Sequence, residues 1–210
     1  MRVCSYNEWD PLEEVIIGDG FPEKLPILDY TFRLFFHDNI WDPGDYQFGD
    51  DFVDKRHVRE HSEDIEEFVV LLQSLGVTVK RPKVPKRIHK VKTPAWDSTI
   101  HPALNVRDMA MIVGDTIIES PPTLRYRYFE NTLLNHLFLE YFNEGCNWIQ
   151  APKPIMTDNS FDMSYINETT GAKEYYENLK GRDHYLDCGL EIMFDAANCC
   201  LLYTSDAADE

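Results

Sequence analysis

The chain is 210 residues long, enough for one domain or one and a half, and its 43% hydrophobic and 13% aromatic content is enough to bury a core. A formal charge of -17 argues against nucleic acid or an anionic membrane surface as partner and is compatible with small cationic ligands, although solubility alone accounts for it. No apolar run approaches the length of a membrane-spanning helix. The N-terminus carries Glu8, Asp10, Glu13 and Glu14 with no basic and apolar leader pattern, so a soluble, cytoplasmic protein is expected. The cysteines Cys4, Cys146, Cys188, Cys199 and Cys200 form no CxxC pair and no regular spacing, which signals neither a zinc site nor a disulfide framework. No cofactor and no metal is expected.

In chain order, residues 5–12 read as a polar turn and 14–18 as a short buried strand. Periodicity is lost over 21–54, where Phe32, Phe35, Phe36, Trp41, Tyr46, Phe48 and Phe52 lie among prolines, glycines and aspartates; an ordered aromatic loop or lid is the expectation. A helix is predicted over 54–75, with Ile65, Phe68, Val69, Leu72 and Leu75 as its buried stripe and Gly76 as its C-terminal cap. Residues 77–79 are then a strand, and 80–92 a basic, proline-broken loop, read as a solvated surface loop and not as a ligand patch. The run 109–118 reads as a β-hairpin turning at Gly114-Asp115 and bounded by Pro121-Pro122. A second helix is predicted over 127–143 with Leu133, Leu134, Leu137, Phe138, Tyr141 and Phe142 inward and Gly145 just past its end, followed by a strand at 147–150. The order is that of small α/β modules with short connections, two of which look like copies of one plan. A polar stretch over 157–187 leads to a last strand-like run at 190–194.

Two carboxylates stand out. Asp108 is placed at the mouth of the hairpin's first strand, next to Arg107, where a carboxylate can be held in one direction and aimed at a cationic ligand. Asp195 follows the strand-like run and precedes the small residues Ala196 and Ala197, so it too is expected at a strand end with room beside it. Other constellations have plainer readings. His57-Val58-Arg59-Glu60-His61 matches the H-x-x-E-H zinc pattern, but it lies at the charged start of a helix with no third ligand evident and reads as a solvated face. Arg125-Tyr126-Arg127-Tyr128 alternates bases and aromatics, and ion pairing with packing at a helix start explains it better than nucleic-acid stacking.

The segments 5–18, 76–82, 92–94, 107–108, 117–119, 125–130, 151–154 and 194–198 resemble, in order, those of the amidinotransferases of the glycine and inosamine-phosphate type. The resemblance implies an α/β fold of the pentein type, a propeller of ββαβ modules about a pseudo-five-fold axis, of which this chain would carry about the first two modules and the start of the third. It implies transfer of the amidino group of L-arginine to an amine acceptor through an amidino-cysteine intermediate. By motif, Asp108 is similar to the aspartate that binds the donor guanidinium and Asp195 to the catalytic aspartate. The implied partners are small molecules, with no nucleic acid and no membrane, and the full-length protein would be a homodimer.

The sequence departs from the family in lacking the His-x-Asp motif and the Gly-Gly-x-x-His-Cys motif that supply its general acid and its nucleophile. The expectation is therefore the N-terminal half of an amidinotransferase, spanning 1–199 and inactive by itself. Residues 200–210 back-translate to a sequence resembling a transposase adapter, so they are expected to be adapter read-through and not native. Two other readings stay open: hydrolysis of a guanidino compound by an arginine-deiminase-like enzyme, and a non-catalytic guanidinium-binding module.

Overall fold

The computed structural model describes residues 3–20, 31, 53–84, 89–161 and 191–201. Most of the aromatic stretch 21–54 and of the polar stretch 157–187, together with Cys188 and nearly all of the tail, lies outside the described residues.

Two units of the same design organise the chain. In the first, β1 (Glu14–Ile16) leads through the helix α1 (Lys55–Ser74) to β2 (Thr78–Lys80), which pairs with β1 in parallel, Val15 opposite Val79. Asp54 caps α1, its Oδ1 accepting from the Arg56 N–H at 2.9 Å. At the other end Gly76 takes a left-handed φ of +87°, the Gly76 N–H donates to Gln73 and the Val77 N–H to Leu72, the paired bonds of a Schellman cap. The expected stripe of α1 is only partly correct: Val69 and Leu72 are buried, but Phe68 and Leu75 are exposed, as are Val70 and Leu71. A two-stranded sheet is too narrow to cover a stripe that wide.

Between the units lies an element that the basic-loop reading of 80–92 missed. β3 (His89–Lys92) pairs antiparallel with β4 (Asp97–Ile100). Thr93 makes the turn, its Oγ1 accepting from the Ala95 and Trp96 N–H groups while its own N–H donates to the Trp96 carbonyl. Strings of Lys alternating with apolar residues form an edge strand here because the positive side chains can remain in water.

The second unit begins with a single helical turn, α2 (Val106–Met109), which runs straight into β5 (Ala110–Val113). β6 (Thr116–Glu119) returns antiparallel with Val113 opposite Thr116, leaving the two-residue turn predicted at Gly114-Asp115, in which Gly114 has φ +58°. The predicted helix over 127–143 is shorter than expected. Two 3-10 turns, Arg125–Arg127 and Glu130–Leu133, precede α3 (Asn135–Asn143), because Arg127, Glu130 and Asn131 are drawn into buried polar bonds that a continuous helix would not reach. Gly145, at φ +98°, closes α3 with the same Schellman bonds, and β7 (Asn147–Gln150) pairs in parallel with β6. Ile117, Leu134, Leu137, Phe138 and Tyr141 form the core between this three-stranded sheet and α3, while Phe142 is exposed.

The observed class is α/β, with the parallel β–α–β arrangement occurring twice. Among the described residues no helix is long and apolar enough to cross a membrane.

Candidate functional site

Asp108 sits in the helical turn α2, two residues before β5, so the expected strand mouth is in fact a turn feeding the strand. Its position is set from both sides: the Asp108 N–H donates to the Asn105 carbonyl, and Ser120, just past β6, donates its hydroxyl to the Asp108 carbonyl at 2.7 Å. The turn is in turn pressed against β1 by Gly18. A Cβ there would lie 1.8 Å from the Leu104 carbonyl oxygen, so only glycine lets the Asp19 N–H reach the Ala103 carbonyl.

Arg107, the sequence neighbour of Asp108, does not bond its carboxylate. Its guanidinium reaches instead to the Ala196 carbonyl, to the Cys199 carbonyl at 2.6 Å and to Glu8 at 3.2 Å. The partner of Asp108 is Arg127, whose Nη1 donates to Asp108 Oδ2 at 2.7 Å. Arg127 also grips Glu130 with two bonds, Nε to Oε2 at 2.7 Å and Nη2 to Oε1 at 3.1 Å, and reaches the Asn105 carbonyl. The Arg127 and Glu130 side chains are 11% and 2% exposed, so this is a buried, bidentate pair. Burial by itself would lower the Arg127 pKa, but the hydrogen-bonded Glu130 and Asp108 hold it well above the usual arginine range. Burial pushes the Glu130 carboxyl up, against the pull of Arg127.

Asp195 arrives from the far end of the described chain. The run before it is not the strand expected from its composition, since its one described backbone bond to the hairpin region is from the Phe194 N–H to the Pro121 carbonyl at 3.2 Å. Side chains anchor it in place of a ladder. Upstream, Glu191 accepts from the Ile155 and Met156 N–H groups at 2.6 and 2.9 Å. Downstream, Asp195 precedes the 3-10 turn Ala196–Asn198, and Arg107 holds the Ala196 carbonyl of that turn and the Cys199 carbonyl just after it. Met156 has a left-handed φ of +59°, unusual for a side chain of its size, and Arg125 fixes it by donating twice to its carbonyl, at 2.9 and 2.6 Å. The alternating run 125–128 thus does serve ion pairing and packing, in 3-10 turns and not at a helix start.

These clamps bring Asp108 and Asp195 together from 87 positions apart in the sequence. Burial raises the pKa of Asp195, the Asp108 charge raises it further, and Arg127 lowers it. Asp108 has Arg127 as its donor; among the described residues the Asp195 carboxylate has none. Nearby, Tyr126 is kept a neutral phenol, its pKa pushed up to about 12 chiefly by burial, with the charges of Glu130, Asp108 and Asp195 adding to the shift. His101 packs edge-on against Tyr126 with ring centroids 5.2 Å apart, and burial lowers its pKa to about 4. Sequence reasoning singled out both aspartates and gave the run 125–128 ion pairing and packing, but it named no partner for Arg127 and no role for Glu130; the spacing of Arg127 and Glu130, three apart on one turn, was the available signal.

Among the described residues no group of three His, Cys, Asp or Glu side chains is placed to hold a metal; His57 and His61 lie on the first turns of α1. A cavity of about 300 Å³ lies elsewhere, against Glu119.

No family model matches the chain. Individual proteins do. It is 37% identical over 197 residues, 93% of its length, to the mitochondrial glycine amidinotransferase of Gallus gallus. It is 36% identical over 163 residues to inosamine-phosphate amidinotransferase 1 of Streptomyces griseus. Of solved structures, an inosamine-phosphate amidinotransferase from Streptomyces griseus superposes with a TM-score of 0.65 over 76% of this chain at 36% identity, covering 45% of its own. An amidinotransferase of the saxitoxin biosynthetic pathway from Microseira wollei superposes with a TM-score of 0.68 over 92% of this chain at 31% identity, covering 50% of its own. The chain spans about half the length of the curated relatives it matches, 46% in each of these two cases. In sequence and in fold, this α/β chain is a relative of the glycine and inosamine-phosphate amidinotransferases.

Proposed function

We propose that the chain is the guanidinium-binding part, the N-terminal half, of an enzyme that transfers the amidino group of L-arginine to an amine acceptor, built as the first part of a pentein-type propeller. The observation that supports this most is the imbalance at the site. Asp195 lies near enough to Asp108 for the Asp108 charge to raise its pKa, Asp108 shares Arg127 with Glu130, and Asp195 has no donor of its own among the described residues. Three carboxylates thus share one buried cation, and the place between Asp108 and Asp195 suits a second.

A donor guanidinium meets that need. It is planar and permanently charged, and its N–H groups form a fork that matches carboxylates. Because Asp108 Oδ2 is occupied by Arg127, the donor would take Asp108 Oδ1 and the oxygens of Asp195. Asp108 is then the substrate-binding residue and Asp195 the catalytic one. Held by both, the guanidinium stays protonated, which keeps its carbon electrophilic towards a thiolate, and its plane is fixed for attack from one face. The thiolate and the general acid are the cysteine and histidine of the two motifs this sequence lacks, so the chain by itself binds donor without turning it over.

Nuclear magnetic resonance titration of the labelled chain tests this. L-arginine should shift the resonances of Asp108, Asp195 and their neighbours, with Asp195→Asn abolishing the effect, while L-citrulline, of similar shape with an uncharged urea, should not. Equal binding of arginine and citrulline would remove the basis of the proposal.

A further inference from the structure

Glu119, the last residue of β6, is a buried carboxylate that the guanidinium site does not itself contain. It is 3% exposed and stands opposite Ala110, the first residue of β5 and two positions after Asp108, where the turn α2 runs into the hairpin. Its Oε1 accepts from Trp148 Nε1 at 2.6 Å, and its Oε2 accepts from Asn131 Nδ2 at 2.8 Å and from Gln150 Nε2 at 3.0 Å. Trp148 and Gln150 belong to β7, beside β6 in the sheet, but Asn131 belongs to the 3-10 turn Glu130–Leu133. A carboxylate carries acceptors only, so three N–H groups can share it; a glutamine of the same length would turn its own N–H2 towards one of them. All three donors are neutral, and a buried charge met in this way is costly compared with an apolar contact. What it supplies is a fixed place for the turn.

Two routes run from Glu119 to Asp108. Along the chain comes Ser120, whose N–H donates to the Met109 carbonyl at 3.0 Å and whose hydroxyl donates to the Asp108 carbonyl at 2.7 Å. Through space, the bond to Asn131 fixes the residue next to Glu130; Glu130 takes two bonds from Arg127, and Arg127 Nη1 donates to Asp108 Oδ2. The first route holds the Asp108 backbone, and the second aims its carboxylate. Asn131 is 2% exposed and its Oδ1 has no partner, so its side chain is tied to the sheet by the Glu119 bond. We propose that Glu119 is a positioning residue for the guanidinium site: through Asn131 it sets the turn that carries Glu130, and through Glu130 and Arg127 it sets the direction of the Asp108 carboxylate. Its consequence for binding rests on the guanidinium reading, whereas its hold on Arg127 does not.

The test reverses the polarity of the bond between Glu119 and Asn131. Asn131→Asp sets two buried carboxylates against each other and releases the turn. Adding Glu119→Gln restores the bond with donor and acceptor exchanged, and the exposed Gln150 amide can turn over to accept. In the ¹⁵N-labelled chain the Arg127 Nε–H, bonded to Glu130 Oε2, reports the turn, and L-arginine affinity reports the site. Asn131→Asp should shift the Arg127 signal and weaken arginine about tenfold, and the double variant should return both to within about twofold of the parent. Asn131→Leu, uncharged and of similar size, should act like Asn131→Asp and carries the test should that variant not fold. Each titration is made below the melting transition of its variant, so that lost stability alone moves neither readout. A parent chain that binds no arginine would end the guanidinium reading and leave the Arg127 signal to decide. Variants that melt lower but keep the parent's Arg127 signal and arginine affinity would overturn the proposal, as would a double variant no better than Asn131→Asp.

Discussion

Replacing Arg127 by Leu separates two roles that the structure combines in one side chain. The guanidinium makes two bonds to Glu130, one to Asp108 and one to the Asn105 carbonyl, with its side chain 11% exposed. Removing it leaves Glu130, 2% exposed, as a buried carboxylate without its cation. Breaking a buried pair from one side costs about 3–5 kcal/mol. For a chain of this size that lowers the melting temperature by roughly 6–20 °C, at about 2–4 °C per kcal/mol. Replacing both partners, Arg127→Leu with Glu130→Met, removes the stranded charge and should recover most of the loss, because exchanging a whole buried pair for apolar residues is close to neutral. Binding should not recover with stability: in the double variant Asp108 still lacks its donor, so arginine affinity stays low. Thermal melts and arginine titrations of the parent, single and double variants supply the comparison. A single variant that loses less than about 1 kcal/mol, or a double variant that melts no higher than the single, would refute the reasoning that Arg127 and Glu130 form a mutually dependent buried pair.

Further consequences follow from neighbouring contacts. Arg107→Met frees the carbonyls of Ala196 and Cys199, and amide hydrogen exchange at Asn198 and Cys199 should accelerate while the β5–β6 hairpin keeps its protection; unchanged exchange would mean that Arg107 does not hold the Asp195 segment. Gly18→Ala places a methyl against the Leu104 carbonyl, and the melting temperature should fall by an amount corresponding to about 1–3 kcal/mol, whereas an unaltered melt would contradict the close approach. His101 is held neutral with its pKa lowered from 6.5 to about 4 by burial, so its contribution is intact above 6.5 and is lost as pH falls towards 4, because the unfolded chain takes up the proton first. That loss amounts to about 3 kcal/mol. His101→Gln should flatten this limb of the stability profile, and a profile of unchanged slope would show that His101 titrates normally.

Both β–α–β units were legible in the sequence because their signals are local: the turn at Gly114-Asp115, the capping Asp54 and the glycines Gly76 and Gly145 each fix backbone geometry by their own chemistry. The proximity of the two aspartates was suggested through motif. What holds them together was not, since the Arg127 bond to Asp108 spans 19 residues and the Arg107 bond to Cys199 spans 92. Composition suggested a strand before Asp195, yet strand formation needs a partner edge, and this segment is fixed by Glu191 and Arg107 instead. The β3–β4 hairpin was hidden for the opposite reason: its lysines and His89 look like loop composition, while its pairing depends on the turn at Thr93. The stripe of α1 was overread because periodicity reports which face is apolar and not how wide a surface meets it.

If Asp108 and Asp195 together take one cation, the titration of Asp195 followed by carboxyl ¹³C resonance reports it directly. The pKa of Asp195 should lie above the ordinary aspartate value of 3.8. It should fall when Asp108→Asn removes the like charge, and fall when L-arginine is added, because a guanidinium favours the ionised carboxylate. The same linkage makes arginine affinity full above the raised pKa and lost as pH drops through it. An Asp195 that titrates at its ordinary value, indifferent to both Asp108→Asn and arginine, would contradict the account.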